Sequence, residues 1–316
     1  MTTRTIRRSA VGAVLVLALA LAACGYDATE VAPAPSPEVK LVEAAPQACT
    51  DYLDSYAPDG DDRTPALDAI RDRGRLIVGV SGDTRLLGAR DPLKAGQPIE
   101  GFDIDIATRI AEELFGDPTR IELKVITAGQ RVDYLKDDTV DIVARNMTMN
   151  CDRWEEIAFS AQYYAASQKV LVAKDDEASY SGPASLAGQR VCAPAGSTSI
   201  TNIVEKVPEV VPVAAINHTG CLVLFQNGEV DAITGDDTVL AGLAAQDPYA
   251  VVPQQEKITD EPYGIGVNAD NVDLVRFVND VLERMRTDGS WQASYDRWLA
   301  PALGKGSQPQ PLYGRG

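Results

Sequence analysis

Three polar clusters in this chain have the residue types needed to hold a small dipolar molecule. Arg153 follows Thr148 by five positions in Asn146-Met147-Thr148-Met149-Asn150-Cys151-Asp152-Arg153. A guanidinium receives a carboxylate through two parallel charge-assisted bonds, and a threonine at the end of a strand adds a hydroxyl or N–H. The same arginine would serve equally to open a surface helix and pair with Asp152 or Glu156. Ser197 and Thr198 lie in Ala195-Gly196-Ser197-Thr198-Ser199, where a strand passes into a helix. Unpaired N–H groups and the helix dipole favour an anion there, and a plain Ser/Thr cap fits the same pattern. Asp236 and Asp237 follow the apolar stretch Val230-Asp231-Ala232-Ile233-Thr234-Gly235. A carboxylate at that point meets an ammonium or caps the next helix, and the doublet allows one residue for each task. A zwitterion held away from water needs all three kinds of group, because unpaired buried charge is costly.

Composition narrows the alternatives. The single histidine, His218, leaves paired-histidine metal sites without ligands, and a Ser-His-Asp triad would have to use it. Asp and Glu outnumber Lys and Arg 46 to 29, for a net charge of -17. With no long Lys/Arg run, that balance argues against nucleic-acid binding. No metal and no cofactor is expected. A length of 316 residues at 45% hydrophobic and 24% charged suits about two globular domains.

The first residues read as a targeting segment. Arg4, Arg7 and Arg8 precede an uncharged Ala/Val/Leu stretch at 10–23, too short for a span of about 20 residues and suited to a signal-peptide core. Leu21-Ala22-Ala23-Cys24 resembles a bacterial lipobox. Residues 1–23 are therefore expected to be a lipoprotein signal peptide. Cys24 would carry the lipid on the outer face of the cell membrane, the only membrane attachment expected. Residues 24–48, with Pro33, Pro35, Pro37 and Pro46, read as an Ala/Pro-rich tether. Cysteines outside the cytoplasm usually pair. Cys49, Cys151, Cys192 and Cys221 then remain for two disulfides, in any of three connectivities.

The elements that must position these groups alternate between strand and helix. Short apolar or alternating runs predict strands at 76–80, 121–126 and 140–144. Apolar residues three and four apart predict a helix over 102–114, stopped by Gly116. A second set follows: strands at 169–173, 190–193, 210–216 and 230–234, with helices at 198–205, 221–226 and 237–245. A strand at 263–267 and helices at 272–287 and 291–299 complete the chain. This rhythm predicts an α/β fold with mainly parallel sheets.

Gly101-Phe102-Asp103-Ile104-Asp105-Ile106, with Ile110, Ala111 and Leu114 at helical spacing, resembles the signature of the family 3 extracellular solute-binding proteins. These are the polar amino-acid receptors of ABC importers. The loops around Thr148–Arg153, Gly196–Ser199 and Asp236, and Glu261-Pro262-Tyr263-Gly264-Ile265, are similar to the family's as well. The likeness covers about 65–300 and is strongest to glutamate/glutamine-binding lipoproteins of Gram-positive bacteria and actinobacteria. It implies the type II periplasmic-binding-protein fold: two α/β lobes, each a mainly parallel sheet flanked by helices, joined by two hinge strands. Lobe 1 would comprise 49–166, lobe 2 167–258, and the return into lobe 1 with the C-terminal helices 259–303. A flexible tail at 304–316 would follow.

The resemblance also implies roles. Arg153 and Thr148 would take an amino acid's α-carboxylate, with Ser197 and Thr198, and Asp236 would take its ammonium. Arg131 and Arg85 would receive a side-chain carboxylate, favouring glutamate or aspartate over their amides. Tyr263 would wall the cleft or serve equally as a core tyrosine. Closure of the cleft implies disulfides within lobes, Cys49–Cys151 and Cys192–Cys221. The expected activity is binding without catalysis, by a monomer that delivers its ligand to an ABC permease or presents its closed form to a membrane sensor.

Overall fold

The computed structural model describes residues 49–316. The signal peptide expected at 1–23, the lipid-bearing Cys24 and the tether expected at 24–48 lie outside the described residues. The first sheet runs in the order Ile121–Val125, Leu76–Val80, Ile142–Val143, Gly266–Asn268, Ile157–Phe159. Its first three strands are parallel and the last two join antiparallel. The second sheet has the order Val211–Ala215, Arg190–Pro194, Ala232–Asp236, Tyr164–Ala173, Ala250–Val251, again parallel over three strands and antiparallel beyond. In each sheet one strand runs against the others, Gly266–Asn268 in the first and Tyr164–Ala173 in the second, so both sheets are mainly parallel in strand direction.

Two strands cross between these sheets. Tyr164–Ala173 begins beside the first and runs into the second, and Asp260–Tyr263 pairs with its start, placing Tyr263 opposite Tyr164. The stretch expected as one strand at 263–267 is split into Asp260–Tyr263 and Gly266–Asn268. The chain changes sheets between them, so one continuous ladder cannot hold both halves.

The signature helix Phe102–Phe115 buries Phe102, Ile106, Ala107, Ile110 and Ala111 completely. Phe102 meets Trp291 edge-on at 5.6 Å between ring centroids, and Trp291 stacks on Tyr295 at 5.2 Å, which locks this helix to the C-terminal helices. Asp105 accepts from Ser294 Oγ and Trp298 Nε1 across the same contact. Gly101 opens the helix at φ 148°, and a Cβ there would lie 2.3 Å from the Leu87 carbonyl. Gly101→Ala should therefore lower stability by about 4 kcal/mol or more, since neither backbone can yield. A thermal melt within a few degrees of wild type would contradict this packing.

The tail does not behave as expected. Leu312–Arg315 forms a parallel strand with Asp54–Tyr56. Arg286 donates to the carbonyls of Gln308 and Pro309, and Arg315 lies 3.8 Å over the Trp154 ring. Backbone pairing and two arginine anchors hold a segment whose Pro/Gly/Gln composition reads as loose.

Candidate functional site

The site forms where the hinge strands pass beneath both lobes. On the first lobe, the turn after Ile142–Val143 carries Arg145, Asn146, Met147 and Thr148. Asn146 adopts φ 35°, and Asp103 of the signature helix holds it there, with Oδ2 accepting from Asn146 N at 2.8 Å. The other Asp103 oxygen accepts from Tyr163 OH at 2.8 Å. Burial pushes the Asp103 carboxyl up to about 6, against these hydrogen bonds and the Arg145 charge. The signature acid is therefore a support for the binding turn. Met149 N donates to Pro262 O and Gly264 N to Met147 O, so the turn is also tied to the returning hinge strand.

On the second lobe, Ser197 caps the helix Thr198–Lys206, its Oγ accepting from Ile200 N and donating to Pro194 O. Thr198, the first helical residue, turns its hydroxyl to the cleft. Asp236 ends the strand Ala232–Asp236. Asp237 Oδ1 accepts from Thr238 N, so the doublet divides its work with Asp236 left for the cleft.

The lobes are closed on one another. Gly196, at φ 71°, packs so tightly on Gly129 that a Cβ would lie 2.8 Å from its Cα. Thr148 Oγ1 and Thr198 Oγ1 face across the cleft at 3.3 Å. Between the lobes lies a cavity of about 10 Å³, lined by Ala128, Arg131, Arg145, Asn146, Thr148, Pro194, Ser197, Thr198, Ser199, His218 and Asp236. That is room for about one water, so the lobes must part to admit any larger guest.

Glu261, which the sequence reading did not single out, sits at the centre of the hinge. Its Oε2 accepts from Thr148 Oγ1 and Thr198 Oγ1 at 2.7 Å each, and its Oε1 from Asn202 Nδ2 and Thr259 Oγ1 at 2.8 and 2.7 Å. Both threonine hydroxyls thus spend their protons on Glu261 and turn lone pairs outward. In this state they are acceptors, where the sequence reading expected donors to a carboxylate. The only signal for Glu261 in the sequence is a charged residue beginning an otherwise buried strand.

Asp236 keeps one oxygen on Tyr263 OH at 2.6 Å. Its Oδ1 is buried without a donor, as is Asn146 Oδ1 on the same cavity. Burial first, and then the Glu261 charge, holds the Asp236 carboxyl well above the usual range, against the Tyr263 hydroxyl and the Asn146 amide beside it. Tyr263 is fully buried, with its hydroxyl between Asp236 and Thr238. It therefore orients Asp236 from behind as a core tyrosine, the second of the two expected roles, and does not wall the cleft.

The arginines separate clearly. Arg153 does not line the cavity. Its Nη1 donates to Thr148 O at 2.6 Å, close enough to Glu261 and Asp236 to feel both charges. Arg131 is buried and spends its guanidinium on carbonyls: Nε on Ala128 O, Nη1 on those of Arg145 and Asn146, and Nη2 within 3.5 Å of Gly196 O in the other lobe. Arg85 is exposed, and its backbone packs on Gly242 at the outer rim, so it does not reach this cavity. A loop position near a strand end does not say which way the side chain leaves, and here the turn after Asp83–Thr84 directs it outward. Cys49 is bonded to Cys151 and Cys192 to Cys221, each pair within one lobe.

Two α/β lobes, a pair of crossing strands and a closed, charged cleft between them define a receptor that closes over a small solute. The chain belongs to the bacterial extracellular solute-binding proteins, family 3, whose profile matches residues 76–301. It is 35% identical over 234 residues to the ABC transporter glutamine-binding protein GlnH of Bacillus subtilis, covering 74% of this chain and 84% of that one. It is 30% identical over 249 residues to the glutamate-binding protein GluB of Corynebacterium efficiens, covering 76% and 82% respectively. Among solved structures, an ancestral arginine-binding protein bound to glutamine superposes with a TM-score of 0.67 at 29% identity. That match covers 74% of this chain and 99% of the other.

Proposed function

We propose that the protein binds one L-α-amino acid between its lobes, glutamate or aspartate with their amides as competitors, and delivers it to an ABC-transporter permease. The observation that carries this reading is the pair of buried acceptors without donors, Asp236 Oδ1 and Asn146 Oδ1, which line the cavity from the two lobes. Buried acceptors left unpaired are expensive. An ammonium supplies both the donors and the charge, and the outward lone pairs of Thr148 and Thr198 add to its surroundings. Arg153, which sits behind Thr148 in the closed state, is assigned the α-carboxylate when the lobes part to admit the ligand, helped by the N–H groups opening the helix Thr198–Lys206. The amino acids named for the relatives GlnH and GluB support the ligand class. Cys24 is assigned the lipid that holds the receptor at the membrane, and 24–48 the tether. Ligand binding shifts the lobes toward the closed form, which the membrane partner reads.

Calorimetry on the full chain with glutamate, aspartate, glutamine and asparagine tests this, and no heat from any of the four would end it. The Asp236 carboxyl adds a sharper readout. Held high while unliganded, it is partly protonated in mildly acidic solution, and an ammonium favours the carboxylate. Binding near pH 6 should then release protons, and affinity should fall as pH drops. Titration in buffers of different ionisation enthalpy counts those protons. A count of zero would remove Asp236 from the ammonium.

A further inference from the structure

Arg145 is the most unusual charged group on the cavity. It is 5% exposed, and of its five N–H donors only Nε is used, on Ile126 O at 2.9 Å. Among the described residues no carbonyl or carboxylate accepts from its Nη atoms, yet it lines the cavity between the lobes. The carboxylates nearest in charge are engaged elsewhere. Asp103 serves Tyr163 and Asn146, and Asp83 Oδ1 accepts from Ser81 Oγ. A guanidinium that lines the cavity with both Nη groups unpaired by the protein is open to an arriving acceptor.

The neighbours sharpen what that something is. Arg131 lies on the same cavity with its donors turned to carbonyls. His218 is neutral at pH 7, since burial and then the Arg145 charge hold it down to about 4, against a bond between its Nε2 and Thr234 O. It adds no positive charge and competes for no anion. Arg131 is itself pushed down, by burial first and then by the Arg153 and Arg145 charges, against the charge of Asp236.

We propose that Arg145 is the residue that selects the ligand's side chain, its free Nη groups receiving the distal carboxylate of an acidic amino acid. This rests on the amino-acid reading above and moves the selecting role away from Arg85 and Arg131. The fork of a guanidinium holds both oxygens of a carboxylate, whereas a carboxamide offers one acceptor and turns donors toward a cation. Discrimination therefore comes from attraction to the acid and from repulsion of the amide.

The test compares wild type with Arg145→Met and Arg145→Lys, using the full chain and calorimetry with glutamate, aspartate, glutamine and asparagine. Wild type should prefer glutamate or aspartate to its amide by at least about 30-fold. Arg145→Met should reduce that ratio to within about 3-fold, mainly by weakening the acids. Arg145→Lys, which keeps the charge without the fork, should restore part of it. An unchanged acid-to-amide ratio in Arg145→Met would overturn the proposal while leaving the amino-acid reading intact. A wild type that prefers the amides would do the same. Failure of wild type to bind any of the four would remove both. If Arg145→Met does not fold, an acid-to-amide ratio in Arg145→Lys equal to wild type would count against the fork.

Discussion

Asp236→Asn should weaken amino-acid binding by about 10²- to 10³-fold while making the unliganded protein more stable at pH 7.5. The first half follows from pairing. Removing one partner of a buried, hydrogen-bonded charge pair costs roughly 2–5 kcal/mol, much of it the penalty on the charge left behind. Here the ammonium would face an amide, with Asn146 Oδ1 as its remaining buried acceptor. The second half follows from the direction in which the fold moves the Asp236 carboxyl. Burial and Glu261 raise it above its ordinary value of 3.8. Between the ordinary and the raised value the folded protein holds a proton that the unfolded chain has lost, so stability declines as pH rises through the window. Above the window the ionised group is a full liability; below pH 4 it is none. The amide introduced by Asp236→Asn removes that liability and still accepts from Tyr263. Melting temperatures at pH 7.5 and pH 4 should therefore show a gain at the first and none at the second. A variant that loses stability at pH 7.5, or that binds amino acid as wild type does, would mean that Asp236 is part of the framework.

Much of this arrangement was legible because the groups lie at the ends of strongly patterned elements. Phe102–Phe115 declares itself by spacing and by Gly116, and its boundaries differ from expectation by one residue. Thr148, Thr198 and Asp236 stand at strand-to-turn or strand-to-helix junctions, where side chains reach a shared edge. Patterning failed where elements are too short to have a period. The three-stranded sheet of Asp83–Thr84, Gly88–Arg90 and Ile99–Glu100 gives no such signal, and it turns Arg85 outward. Arg145 and Glu261 escaped notice for another reason. Each is a charged residue inside a buried run, and its partners come from strands and loops distant in sequence. Glu261 depends on Thr148, Thr198 and Asn202 together. No local pattern reports that meeting.

Opening the Cys49–Cys151 bond should lower both stability and affinity, and should do so before Cys192–Cys221 reacts. The bond closes a loop of 102 residues, against 29 for the other. On chain entropy alone that is worth about 4–5 kcal/mol, compared with about 3–4 for the shorter loop. For a chain of this size the larger figure corresponds to a fall on the order of 10 °C in melting temperature. Access separates the two as well. Cys192 and Cys221 are fully buried beneath the second lobe's strands, whereas Cys49 and Cys151 are partly exposed. Mild reductant should therefore yield a species with two free thiols, both in the first lobe. The loss of affinity follows from what Cys151 anchors. It begins the turn Cys151–Trp154, capped by Asn150 Oδ1 on Arg153 N, and that turn aims Arg153 at Thr148 O. Released from Cys49, the turn keeps its cap but loses its fixed end, so Arg153 samples more orientations and pre-organisation is lost. Mass mapping, a thermal melt and an amino-acid titration on the same partly reduced sample decide the matter. Unchanged melting and unchanged binding after cleavage of Cys49–Cys151 would show that the sheet and the Asn150 cap alone hold the binding turn.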